Sequence, residues 1–227
     1  MGHYRTTAAA VAAASGGPTT VDLSAGTAAD PNSVLDAGLS SLGTSSTIVA
    51  DTNHGLIDGH LDCYRNLTQV SARPSTSRCL HVRMSVGTLP TEDPGTAGCT
   101  LDLVVSRTNG LVTNHGYRGG LNQDPSSVLK SRSVARIGSI GSNVETLAGA
   151  PAVAELFVQV DFDGTSAVRA TFGAFGQTSG SDDDTETVAT GGTWDDQPWV
   201  GVALSQIGGS PASVVTWGAV VITYQWI

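Results

Sequence analysis

Asp58, His60 and Asp62 alternate in the stretch DGHLD. On a strand this spacing puts all three side chains on one face. Two carboxylates bracketing an imidazole there form a donor set for zinc, manganese or iron. No second His/Asp cluster with ligand spacing accompanies them, so a polar strand face or turn is the simpler reading. Asp182, Asp183, Asp184 and Glu186 form the densest run of charge in the chain. Carboxylates on a loop suit calcium, but the ordered D-x-D-x-D-G spacing of a calcium-binding hand is missing. Asp161, Asp163 and Gly164 echo a fragment of that spacing, and a hairpin turn explains them. A solvated acidic loop at Asp182–Glu186 needs the fewest assumptions, and neither metal nor cofactor is expected.

The four tryptophans, Trp194, Trp199, Trp217 and Trp226, all fall in the last 34 residues. Trp194 and Trp199 bracket the polar run Asp195-Asp196-Gln197-Pro198. Exposed indoles beside carboxylate and amide groups stack on sugar rings and hydrogen-bond their hydroxyls. Indoles are equally the anchors of protein cores and interfaces. All four are therefore candidates for a subunit interface or a glycan-binding surface, and the interface or core is the favoured reading.

No nucleophile elbow of the G-x-S-x-G type is present, nor a phosphate-binding loop, nor a dinucleotide fingerprint. Serines, histidines and aspartates are plentiful, but an inventory without geometry points to no reaction. We expect no catalytic residues and no enzymatic activity. The three cysteines, Cys63, Cys79 and Cys99, match no zinc spacing. Cys63 and Cys79 have the separation to close a loop, but buried thiols are the favoured state. Asn66-Leu67-Thr68 has the form of a glycosylation sequon, and without a secretion signal it is read as chance.

Charged residues make up 14% of the 227, well below the quarter usual for soluble domains, and net charge is −9. Lys130 is the only lysine beside ten arginines. Such an acidic balance lacks the footprint of a nucleic-acid binder. The basic stretches Arg65, Arg73, Arg78, Arg83 and Arg118, Lys130, Arg132, Arg136 are read as pairing with carboxylates of the chain or a neighbour. No segment approaches the roughly 20 apolar residues of a membrane helix, and the Ala-rich run after Arg5 is too weakly apolar for a secretion signal.

The elements that must position these residues are strands. Residues 1–44 are poor in large hydrophobes and read as a low-complexity arm, ordered by neighbouring subunits, with a short helix at Pro31–Leu42 capped by Asp30. From residue 45 to 227 the pattern is one β body. Cys79–Gly87 alternates, with Leu80, Val82, Met84 and Val86 on one face. Cys99–Arg107 places Leu101, Leu103 and Val105 inward and Asp102 outward. Residues 108–128 read as a long Gly/Asn-rich connection. In Ala152–Phe162, Ala154, Leu156, Val158, Val160 and Phe162 share a face, and Glu155, Phe157, Gln159 and Asp161 the other. Asp163-Gly164 then signals a hairpin into Ala167–Phe175. Further strands are expected at Ser46–Ala50, Leu61–Ser71, Val134–Ile140 and Pro198–Gln206. Ala212–Ile227 is apolar on both faces and must be covered on both. Unbroken alternation there sets Trp217 and Trp226 on opposite faces, one in the core and one at a subunit contact. The count is eight to ten strands, the pattern of an all-β antiparallel sandwich or jelly roll.

An all-β body, low charge, a low-complexity arm and a C-terminal strand committed to burial together resemble the virion structural proteins of tailed phages, of the head-decoration, minor-capsid or tail-associated type. The resemblance implies a non-enzymatic role in the virion. Its partners would be further copies of the chain, as a homotrimer, and a major capsid or tail protein, with no direct contact to nucleic acid or membrane. A carbohydrate-binding, lectin-like receptor-binding module is the alternative that the tryptophan and acidic loops suggest.

Overall fold

The computed structural model describes residues 17–25, 27–29, 43–50, 62–90, 98–106, 116–123, 129–134, 145–147, 155–163, 166–174, 183–187, 197–207 and 215–227. These form an all-β antiparallel sandwich. In chain order its strands are β1 (Thr19–Thr20), β2 (Thr27–Ala29), β3 (Ser46–Ala50), β4 (Asp62–Gln69), β5 (Cys79–Thr88), β6 (Gly98–Ser106) and β7 (Gly116–Gln123). They continue with β8 (Leu129–Val134), β9 (Glu145–Leu147), β10 (Glu155–Asp163), β11 (Ser166–Ala174), β12 (Asp183–Thr187), β13 (Trp199–Ile207) and β14 (Val215–Trp226). One sheet runs β1-β14-β5-β10-β11-β12, with β3 also on β14; the other runs β2-β4-β13-β6-β7-β8-β9. We call them sheets A and B.

The core lies between the inner faces of the two sheets. Leu80, Val82, Met84 and Val86 of β5, and Leu156, Val158, Val160 and Phe162 of β10, supply it from sheet A. Leu101, Leu103 and Val105 of β6, with Val200 and Val202 of β13, supply it from sheet B. Those of β5, β6 and β10 are residues that period-two alternation placed on one face, and burying each large one stabilises the fold by about 1.5–3 kcal/mol. Sheet B is apolar on its outer face as well: Leu67, Val104 and Ala203 are fully buried there, with Trp199 packed against them. Asp102 is on that outer face, as its alternation requires, yet is also fully buried.

β14 is interior to sheet A. One edge pairs with β5 from Gly218 to Trp226, and the other carries β3 at Val215–Val220 and β1 at Thr223–Tyr224. Its end is tied down further. Ile227 N donates to Cys79 O at 2.9 Å, and Ile227 O accepts from Cys79 N at 3.0 Å and Arg78 N at 2.7 Å. The Trp226 indole donates to Ser71 O at 3.2 Å, and Tyr224 Oη donates to Ser71 Oγ at 3.0 Å. Trp226 packs on Phe162 at 5.9 Å between ring centroids, and the Arg73 guanidinium lies 5.0 Å from the Phe162 centroid.

Several sequence expectations are corrected. The described residues of 1–44 pair with the body of the sandwich. β1 joins sheet A, β2 pairs with β4 in sheet B, and Val21 and Leu23 are buried in the shared core. Val21 N donates to Ile222 O at 2.9 Å, and Leu23 N to Gly43 O at 3.1 Å. The span 108–128 holds a strand, β7, which pairs with both β6 and β8. The acidic run likewise enters a strand, β12, on the edge of sheet A. In both cases partners impose an extended backbone on residues with little strand propensity of their own. The helix expected at Pro31–Leu42 lies outside the described residues.

Trp217 and Trp226 do not face opposite ways. Trp217 pairs with Ile48 and Val220 with Ser46, so the single Thr47 of β3 stands against both Gly218 and Ala219. Ala219 takes a φ of 50°, and this β-bulge shifts the alternation by one. Trp217, Val220, Ile222 and Trp226 therefore all enter one core.

Candidate functional site

The outer face of sheet A is built from the polar halves of alternating strands. Register sets Gln225, His81, Gln159, Thr171 and Thr185 in one row across β14, β5, β10, β11 and β12. The next row is Thr223, Arg83, Phe157, Gly173 and Asp183. Neighbouring strands lie about 4.8 Å apart, so each row is a track of closely spaced positions.

At its centre the Phe157 and His81 rings are stacked, with centroids 5.6 Å apart and planes 19° from parallel. Both residues are half-buried. The register position beside Phe157 on β11 is Gly173. Arg83 forms an ion pair with Glu155, and both stay partly exposed. Gln159 Nε2 donates to Asp161 Oδ1 at 2.9 Å, which orients the amide. Burial holds the His81 pKa below its ordinary 6.5, and the Arg83 charge pushes it the same way. At neutral pH the imidazole is therefore uncharged. The face combines one aromatic platform, amides, hydroxyls and an internally balanced ion pair.

Alternation had already placed Glu155, Phe157, Gln159 and Asp161 on one face, and His81 and Arg83 on the polar face of their strand. The signal for this site was the aromatic at Phe157 on an otherwise polar face. What sequence could not supply was that β5 and β10 are neighbours, in a register that brings His81 onto Phe157.

The tryptophans do not assemble into one surface. Trp217 is fully buried and Trp226 is 6% exposed, both in the inter-sheet core. Trp199 is half-buried on the outer face of sheet B, and Trp194 lies outside the described residues. Of the metal candidate, Asp62 opens β4, while Asp58 and His60 lie outside the described residues. Among the described residues there is no group of three or more metal-ligating side chains. Nor is any helix among them long and apolar enough to cross a membrane. Cys79 is half-buried at the start of β5. Asn66 is 2% exposed, so the sequon is not presented on the folded surface.

No family model matches the sequence, and no curated protein matches it. Among solved structures, the chain is similar to a functionally unknown protein from Saccharomyces cerevisiae. The identity is 14%, 91% of this chain and 97% of that chain are covered, and the TM-score is 0.44. It is also similar to the CBM2 module of the evolved Dit of Lactobacillus casei BL23 phage J-1. There the identity is 13%, the coverage 72% of this chain and 69% of that one, and the TM-score 0.37. Neither likeness assigns a role to this chain.

Proposed function

We propose that the protein is a non-enzymatic structural protein of a virus particle, which binds and stabilises a capsid or tail assembly as a homo-oligomer. The observation that carries this reading is the way the sandwich is closed. Its last strand is interior to sheet A, and an early segment is stitched to that same strand through Thr19, Thr20 and Val21. The outermost strands, β1, β2, β3, β9 and β12, are only two to five residues long. Short edges suppress uncontrolled strand pairing, and interlocked ends resist local opening. These properties suit a particle component that must persist, and the low charge suits a body partly covered by neighbours.

Light scattering on the purified chain, combined with co-sedimentation on assembled particles, tests the reading. A trimer or other closed oligomer that pellets with particles is the expected result. A stable monomer at micromolar concentration that stays in the supernatant would overturn it.

A further inference from the structure

We propose that the outer corner of sheet B, where β13 begins, is a binding site for a neutral glycan, with the Trp199 indole as its platform and the amides of Gln69 and Gln197 as its hydrogen-bonding flank. This goes beyond the structural role proposed above and does not depend on it.

The three described tryptophans differ in what becomes of the indole N–H. That of Trp226 donates to Ser71 O at 3.2 Å. That of Trp217 is sealed in the core without a partner. The N–H of Trp199 has no hydrogen bond within the chain and is not among the sealed groups, so it opens to solvent. The body of the same ring packs against Leu67, Val104 and Ala203. An indole anchored by its apolar body, with its polar edge wet, is already in place to donate to a ligand.

Register fixes what lies beside it. Gln69 of β4 is the antiparallel partner of Trp199, and side chains directly opposite each other share a face with Cβ atoms about 5 Å apart. Gln69 Nε2 donates to Gln197 O at 3.3 Å, which ties this amide to the segment leading into Trp199. Both glutamines are exposed in the folded chain. An amide both donates and accepts, as does a sugar hydroxyl, so each can take the place of the other's water. The apolar C–H face of a sugar ring can then cover the open part of the indole.

The same residues select against other partners. The core of a protein interface is apolar. Leu67, Val104 and Ala203 are already fully buried, so beside them only the Trp199 ring has apolar surface left to cover. An acidic ligand would need a cation, and Thr68, Gln69, Gln197, Pro198 and Trp199 supply none. Asp195 and Asp196 directly precede Gln197 and repel such a ligand further. A neutral molecule with one apolar face and a rim of hydroxyls meets all of these conditions.

The test uses the full chain and defined probes: maltohexaose, cellohexaose, xylohexaose and chitohexaose by titration calorimetry, alongside an array of neutral glycans. Two variants are compared with wild type. Trp199→Leu keeps an apolar side chain over the buried cluster but removes the ring and its N–H. Gln69→Ala removes an exposed amide and leaves the cluster untouched, so it decides the matter even where Trp199→Leu fails to fold. Wild type should bind at least one neutral glycan. Trp199→Leu should weaken that binding at least tenfold and Gln69→Ala several-fold, the latter with an unchanged melting temperature. Absence of binding to every neutral glycan would overturn the proposal, as would binding that Gln69→Ala leaves at full strength. Co-sedimentation with particles is run on the same variants. If folded Trp199→Leu loses particle association but keeps glycan binding, the corner docks a protein and the glycan site is refuted. If wild type binds a glycan through Trp199 and Gln69 but fails to sediment with particles, the structural role falls and the glycan site stands.

Discussion

Trp217 and Val220, three positions apart in the same strand, face the same core. A regular strand would set them on opposite faces, since an odd separation inverts the side chain. The inversion is undone at Ala219, whose φ of 50° lets two residues of β14 stand against one of β3. Gly87 makes room for this: a Cβ added there would lie 3.0 Å from the Ala219 Cβ. The bulge lets one strand bury Trp217 before it and Val220, Ile222 and Trp226 after it.

Deleting Ala219 should therefore be far worse than mutating it. Deletion restores plain alternation and turns either Trp217 or the Val220–Trp226 set out of the core, and a one-residue slip moves every side chain beyond it. We expect insoluble or uncooperatively unfolding protein. Ala219→Gly should be neutral or stabilising by up to about 1 kcal/mol, because glycine takes positive φ without the Cβ penalty. Urea titration of both variants checks this; a deletion that melts like wild type would remove the bulge from the account.

Trp217→Ala and Trp226→Ala should behave alike. Both indoles are buried in the one core, so each truncation should cost about 3–5 kcal/mol and neither should act on assembly alone. Chemical denaturation with light scattering at matched concentration separates the outcomes. A well-folded variant of either residue that fails only to oligomerise would contradict the shared-core placement.

Close strand approach makes a sharper case in sheet B. A Cβ at Gly201 would run into the carbonyl oxygen of Asn66 and lie 3.0 Å from Leu67 Cα. Both obstacles are backbone, so Gly201→Ala should destabilise by about 3 kcal/mol or more, at the top of the overpacking range. Asn66 on the neighbouring strand has the opposite expectation. Its Oδ1 is buried without a hydrogen-bond partner, so Asn66→Leu should gain about 1 kcal/mol by removing an unsatisfied group. Denaturation midpoints moving in opposite directions are the signature sought.

Stability should fall on mild acidification, partly through His81. Its folded pKa is held below the ordinary 6.5, first by burial and then by Arg83. As pH drops through 6.5 the unfolded chain binds a proton that the folded chain refuses, so the unfolded state gains. The stabilisation is present in full above the unfolded pKa and is lost as pH falls through the folded one. Glu155, Asp161 and Cys79 share this face, and carboxylates elsewhere add their own acid dependence, so the readout is a difference. Melting temperatures at about pH 7.5 and about pH 5 should differ less in His81→Gln than in wild type. An equal gap in both would mean that His81 charges as freely in the fold as outside it.

What the sequence by itself determined is the class of fold and the inward faces of its long strands. Leu80 to Val86, Leu101 to Val105 and Leu156 to Phe162 alternate apolar and polar, and that period can be buried only by a sheet. Ser46–Ala50 was legible residue for residue, and the terminal segment was legible as a covered strand. Pairing was decided by the tertiary structure alone. The runs GYRGGLNQ and DDTET have no pattern that says strand; they are extended because β6, β8 and β11 offer them hydrogen bonds. The early threonines and alanines become β1 and β2 for the same reason. Sequence likewise placed His81 and Phe157 on polar faces, but their stacking depends on β5 and β10 being neighbours in one register. The bulge at Ala219 was hidden because an alanine in an apolar strand gives no local sign of positive φ. Side-chain alternation is written along the chain, whereas register, bulges and neighbours are settled between segments far apart in it, by whichever arrangement buries the most apolar surface with its backbone hydrogen bonds made.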